Sequence, residues 1–162
     1  MNWNAYFKGF EAYLMMEKSL SKNSIEAYQS DVQKLYDYFF IKGVDIVPEK
    51  VKMKDIESFL GYIGQLGLSE KSQARILSGI KAFYKYLMME DVIKDDPTEL
   101  IGGPKLTRIL PDVLSKEEMN LILGAIDLSE EHGQRNRAIL ETLYACGMRV
   151  SELVNLKFSH YF

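Results

Sequence analysis

The residues with the clearest capacity for chemistry lie in Ala145-Cys146-Gly147-Met148-Arg149-Val150-Ser151-Glu152-Leu153. Glycine tolerates the left-handed backbone that closes a helix, so Gly147 is expected to end one helix and Arg149 to stand at the opening of the next. The N–H groups of a helix start are unsatisfied and carry the positive end of the helix dipole. A permanently charged, planar guanidinium beside them is a good receptor for a phosphate. A salt bridge from Arg149 to Glu152 is the plainer role open to it. A second set of candidates lies on two helix faces. Lys22, Asn23 and Ser24 open one helix, and Lys71, Ser72, Gln73, Arg75, Ser78 and Lys81 share one side of another. Gln73 and Asn23 could read adenine bidentately and Arg75 could read guanine, while the lysines suit phosphates. An ordinary solvated face would look the same.

These residues need helices to position them, and apolar spacing is helical nearly throughout. Trp3, Phe7, Phe10, Leu14 and Met15 mark one face of a first helix. Ser21 is expected to cap a second over 22–42, stopped by Gly43, with Ile25, Tyr28, Val32, Leu35, Tyr36 and Phe39 inward. A third runs over 53–66 with Ile56, Phe59, Leu60 and Ile63 inward, ended by Gly67. Ser69 caps a fourth over 70–89, whose buried stripe is Ile76, Leu77, Ile80, Phe83, Tyr84 and Leu87. The aromatic residues Phe39, Phe40, Phe59, Phe83 and Tyr84 fall at core spacing and are expected to pack inside, not to stack on bases. Asp96-Pro97 predicts a cap and first turn of a short helix to Ile101.

Residues 102–111, Gly-Gly-Pro-Lys-Leu-Thr-Arg-Ile-Leu-Pro, hold two glycines and two prolines and read as a linker between a 1–101 domain and a 112–162 portion. Beyond it, Ser115 and Glu118 fit a capping box. That helix carries Met119, Ile122, Leu123 and Ile126. A further helix over 135–146 carries Ile139, Leu140, Leu143 and Tyr144, and a last one covers 150–156. No segment reads as a strand. Three short helices bury little apolar surface, and the chain closes on the apolar Leu156-Lys157-Phe158-Ser159-His160-Tyr161-Phe162. The expectation is a complete helical bundle followed by the opening of a larger, truncated domain, with residues past about 110 less stable than the bundle.

Composition narrows the function classes. Net charge is −3, with 20 basic against 23 acidic residues. Neither portion is basic overall, so nucleic-acid binding must rest on a local basic face. A single cysteine, Cys146, excludes a disulfide within the chain and is expected to be a buried thiol. One Cys and two His, His132 and His160, make no zinc constellation. The N-terminus has no signal-peptide core. No apolar run approaches the roughly 20 residues that span a bilayer. The expected compartment is the cytoplasm.

In their wording and order these segments resemble the tyrosine site-specific recombinases. Gly147-x-Arg149-Val150-Ser151-Glu152-Leu153 is similar to the first catalytic arginine motif. Ser21-Lys22-Asn23-Ser24-Ile25-Glu26-Ala27-Tyr28-Gln29-Ser30-Asp31-Val32 resembles a signature of the core-binding domain, and 72–84 resembles its later DNA-facing helix. Asp96-Pro97-Thr98, Pro104-Lys105, Leu110-Pro111 and Leu114-Ser115 resemble the linker and the entry to the catalytic domain. Residues 137–144 resemble the helix before the arginine. The immediate start on the core-binding domain is similar to the Xer type.

The resemblance implies an all-α chain as given: a SAM-like helical DNA-binding domain, then the first helices of an α/β catalytic domain. It implies double-stranded DNA as substrate, a 3′-phosphotyrosine intermediate, no metal or nucleotide cofactor, and four protomers on two sites. It assigns Arg149 to the transition state and allows Thr107 and Arg108 to track the DNA backbone. His160 and Tyr161 lie too near Arg149 to match the family's later histidine and nucleophile, and no lysine matches its hairpin lysine. The chain alone is therefore expected to bind DNA and cleave nothing. Two other readings stay open: a non-catalytic DNA-binding protein, and a helical protein-interaction scaffold.

Overall fold

The computed structural model describes residues 3–106 and 111–157. The chain divides into two compact units, Met1–Arg108 and Ile109–Phe162. All regular structure among the described residues is helical.

The first unit contains α1 (Trp3–Met16), α2 (Lys22–Ile41), a 3-10 turn (Pro48–Lys50), α3 (Met53–Gln65) and α4 (Glu70–Met89). Serines start the two long helices. Ser21 accepts from the Ser24 backbone N–H and Ser69 from that of Ser72, which satisfies donors that the helix itself leaves orphaned. Gly43 at φ +65° and Gly67 at φ +81° follow the ends of α2 and α3 in the left-handed region. The expected stripe of α4 is buried in full, and Ile25, Val32, Leu35 and Phe39 of α2 meet it in one core with Phe10, Leu14, Ile56 and Phe59. Tyr28 and Tyr36 on α2, Phe7 on α1 and Leu60 on α3 pack at its margin. Trp3 lies beneath this core, stacked on Phe83 at 6.1 Å, with its indole N–H donating to the Ile46 carbonyl at 2.8 Å. The indole thus anchors the start of α1 to the loop after α2.

The largest helix interface is between α2 and α4. It is close enough to leave no room for a side chain at Gly79. A Cβ there would lie 2.6 Å from Asp31 Oδ2 and 2.7 Å from Asp31 Cβ.

The second unit contains α5 (Lys116–Gly124), α6 (Gly133–Cys146) and α7 (Val150–Val154). The capping box forms as read, with Ser115 accepting from Glu118 N–H and Glu118 accepting from Ser115 N–H. Burial is sparse. Met119 is buried, whereas Leu121, Ile122, Ile139, Tyr144, Val150 and Val154 are exposed.

Five expectations need correction. Residues 97–101 form successive turns and no helix. The Asp96 carboxylate accepts from both the N–H and the hydroxyl of Thr98, a local bond that competes with helical pairing. Phe40 is 76% exposed and outside the core, and Met15 is likewise exposed. Each follows a buried neighbour by one residue, which turns it away by the helical step. Cys146 is exposed, because the described helices of its unit leave that end of α6 uncovered. Finally, α7 ends at Val154 and does not reach 156.

Candidate nucleic-acid interface

The N-terminal halves of α2 and α4 together line one open hollow of about 210 Å³, bordered by Ser24, Ala27, Tyr28, Asp31, Arg75 and Ser78. Both helices start on a serine cap, and Ser24 of the α2 start borders the hollow. In each, the paired hydroxyls sit 3.0 Å apart, Ser21 on Ser24 and Ser69 on Ser72. The hollow therefore brings Ser24 of α2 together with Arg75 and Ser78 of α4. Lys22 stays in the open and touches Glu26 at 3.9 Å, a contact of little energetic weight at such exposure. Asn23 and Lys71 are exposed.

Several of the expected DNA-facing residues are engaged inside the protein. Gln73 Nε2 donates to the Leu68 carbonyl at 2.7 Å and steadies the turn before α4. Lys81 Nζ donates to the Ile101 carbonyl at 2.8 Å and ties down the segment after the bundle. Arg75 donates through Nη1 and Nη2 to both carboxylate oxygens of Asp31, each at 2.7 Å. Ser78 donates to the Ala74 carbonyl one turn back. Arg108 lies outside the described residues, as do Thr107, His160 and Tyr161.

Asp31 is the residue that reading the sequence for sites passed over. Its side chain is 1% exposed while that of Arg75 is 51% exposed. Lys34 Nζ approaches the same carboxylate at 3.7 Å. Burial pushes the Asp31 carboxyl above the usual carboxylate range, and Arg75 and Lys34 pull against that. The available signal was position: Asp31 interrupts the apolar face between Tyr28 and Val32, and an acid there needs a buried partner.

Arg149 caps α7 just past Gly147, whose φ is +61°. The glycine closure is as read. The arginine's backbone N–H donates to Glu152 Oε2 and its Nη1 to Oε1, both at 2.9 Å. These bonds hold the Glu152 carboxyl below its usual range, the backbone bond first. The guanidinium side chain is nonetheless 82% exposed, so its other N–H groups face solvent. No group of His, Cys, Asp and Glu suited to a metal occurs among the described residues, and no helix there is long and apolar enough to cross a membrane.

Comparison with known proteins identifies the family of both units. Residues 7–91 match the model of the phage integrase N-terminal SAM-like domain, and 112–161 that of the phage integrase family. The chain is 37% identical over 156 residues to the tyrosine recombinase XerD of Staphylococcus epidermidis, covering 94% of this chain and 52% of that protein. It is 39% identical over 148 residues to XerD of Staphylococcus aureus, covering 90% of this chain and 49% of that one. The crystal structure of XerA recombinase is similar with a TM-score of 0.50 and 27% identity, over 96% of this chain and 50% of that one. The chain thus spans about half the length of the relatives it matches. A serine-capped helical bundle in the SAM-like region, followed in order by the arginine-bearing helices, places the chain in the phage integrase family of tyrosine recombinases.

Proposed function

We propose that this chain is the DNA-binding part of a site-specific recombinase. Residues 1–101 would be the core-binding domain, 102–111 the linker, and 112–162 the start of the catalytic domain. The observation that carries the reading is the hollow that Ser24, Tyr28 and Asp31 of α2 share with Arg75 and Ser78 of α4, within a family-matched SAM-like bundle. Lys22, Asn23, Ser24, Lys71 and Ser72 form the contact edge, with Ser78 and Arg75 at the hollow and Arg108 along the linker. Gln73 serves this surface by steadying the turn before α4, and Lys81 ties the Ile101 segment to the middle of that helix.

In the complete enzyme Arg149 would stabilise the phosphoryl-transfer transition state. A tyrosine oxygen attacks a DNA phosphate, the 5′-hydroxyl leaves, and a 3′-phosphotyrosine forms. Negative charge then spreads over the non-bridging oxygens, where a guanidinium fork bonds two at once. Glu152 holds the backbone and one arm of Arg149 and leaves its remaining donors available. Because the broken bond's energy is kept in the phosphotyrosine, no nucleotide or metal is required. Further protomers, four on two sites, would complete the reaction. The part present here binds and does not cut.

Fluorescence anisotropy of the 162-residue chain with duplex DNA over a salt series tests the binding. Affinity should fall steeply with salt, with slope about −0.9 per phosphate neutralised. Absence of duplex binding at low salt would favour a protein-interaction scaffold. In the complete enzyme, Arg149→Lys should lower cleavage of a nicked substrate by roughly 100- to 1,000-fold while site binding is nearly intact. Undiminished cleavage would remove the catalytic assignment.

A further inference from the structure

We infer that Asp31 is a positioning residue that makes Arg75 a reader of a base edge and not a phosphate clamp. This deepens the DNA-binding reading and rests on it. The geometry comes first. Arg75 lies at the hollow between the N-terminal halves of α2 and α4, with Ser24 and Ser78 beside it. Its two terminal nitrogens are held at 2.7 Å by a carboxylate that is itself buried. Gly79 backs Asp31 so closely that even a methyl group there would collide with it, which confines the aspartate on that side. The guanidinium is therefore fixed in orientation while half of the side chain still meets solvent.

An arginine has five N–H donors, and two are used here. Three remain on a plane already set, so a second acceptor pair costs little further ordering. Charge selects which pair. Asp31 offsets part of the charge of Arg75 at short range, sharing its carboxylate with Lys34 at 3.7 Å, so the arginine's own attraction to a phosphate is weakened. What survives is directional donation, which suits the neutral acceptors O6 and N7 of guanine in the major groove. A free lysine such as Lys71 does the opposite, offering charge without direction.

The two roles separate in one experiment. The 162-residue chain selects from a randomised duplex library, and the enriched duplex is then varied base by base. Binding is measured over a salt series for the wild type, Arg75→Gln, Arg75→Lys and Asp31→Asn, with Trp3 fluorescence melting as the check on folding. Asp31→Glu, which keeps the charge but moves the carboxylate by a methylene, is run beside Asp31→Asn so that a folded Asp31 variant is in hand.

One guanine position should show a preference of roughly tenfold or more in the wild type. That preference should collapse in both Arg75 variants and in the folded Asp31 variant, while Arg75→Gln changes the salt slope by well under 0.9. A slope reduced by about 0.9 with base preference unchanged makes Arg75 a phosphate contact and overturns the inference. Full preference in the folded Asp31 variant, with loss in Arg75→Lys, overturns the role of Asp31. Duplex binding by the wild type with no guanine preference overturns the inference and leaves DNA binding standing. No duplex binding at all removes both.

Discussion

Replacing Gly79 by alanine should destabilise the bundle, although the same change in a free helix does the reverse. Glycine inside a helix is worse than alanine by about 1 kcal/mol, mainly through backbone entropy. At Gly79 the new Cβ would stand 2.7 Å from Asp31 Cβ, against ordinary contacts of 3.4 Å and beyond. The helices must part by about 0.7 Å at their closest point, and overpacking of this kind costs about 1–3 kcal/mol. The displaced Asp31 also loses its alignment with Arg75, adding about 1 kcal/mol for impaired charge-assisted bonds. The net expectation is a loss of about 1–3 kcal/mol, or roughly 4–24 °C in Tm for a unit of this size. Gly61 is the internal control. It lies mid-α3 with nothing within 4 Å of an added Cβ, so Gly61→Ala should stabilise by about 0.5–1 kcal/mol. Urea unfolding followed by Trp3, the single tryptophan and a buried one, reads both variants. Equal stabilisation by the two substitutions would refute the argument that α2 and α4 meet at Gly79.

The buried ion pair should respond asymmetrically. Arg75→Ala leaves a buried carboxylate with Lys34 as its one cation among the described residues and should cost about 3 kcal/mol, whereas Asp31→Ala frees a half-exposed guanidinium to turn to water and should cost less; equal losses in urea unfolding would contradict this. The two units should also answer pH in opposite directions. Glu118, Asp127 and Glu152 are held below their usual range by bonds from Ser115, Ser129 and Arg149, so the stabilisation they bring is present above the ordinary carboxylate pKa and lost as pH falls through the lowered values. Asp31 is raised, so its contribution is fully present below the ordinary aspartate value and lost as pH rises through the raised one. Amide exchange resolved by residue should therefore show α5 and α7 opening first on acidification; simultaneous opening of α2 would count against it. Cys146, exposed at the end of α6, should react with a thiol reagent in native buffer at nearly the rate seen in denaturant, and strong protection would show that its helix end is covered.

Much of the first unit was legible from local signals. Ser21, Ser69 and Ser115 start helices through bonds reaching three residues on, and the stripe from Ile76 to Leu87 repeats at helical spacing. Gly147 next to Arg149 was legible for the same reason, since a left-handed closure depends on one residue's lack of a Cβ. These are short-range effects, and the order of residues states them directly. The partners of the polar residues were another matter. Arg75 is bound to Asp31, 44 positions away, Lys81 to Ile101, and Gln73 to a carbonyl in the turn before its own helix. Phe40 and Cys146 have the composition of core residues and lie outside it. Whether a donor faces water or a neighbour, and whether an apolar side chain is covered, depends on which helix crosses where. That crossing is set by the close approach of α2 and α4 at Gly79, a feature of two helices in contact that the residue pattern of neither one contains.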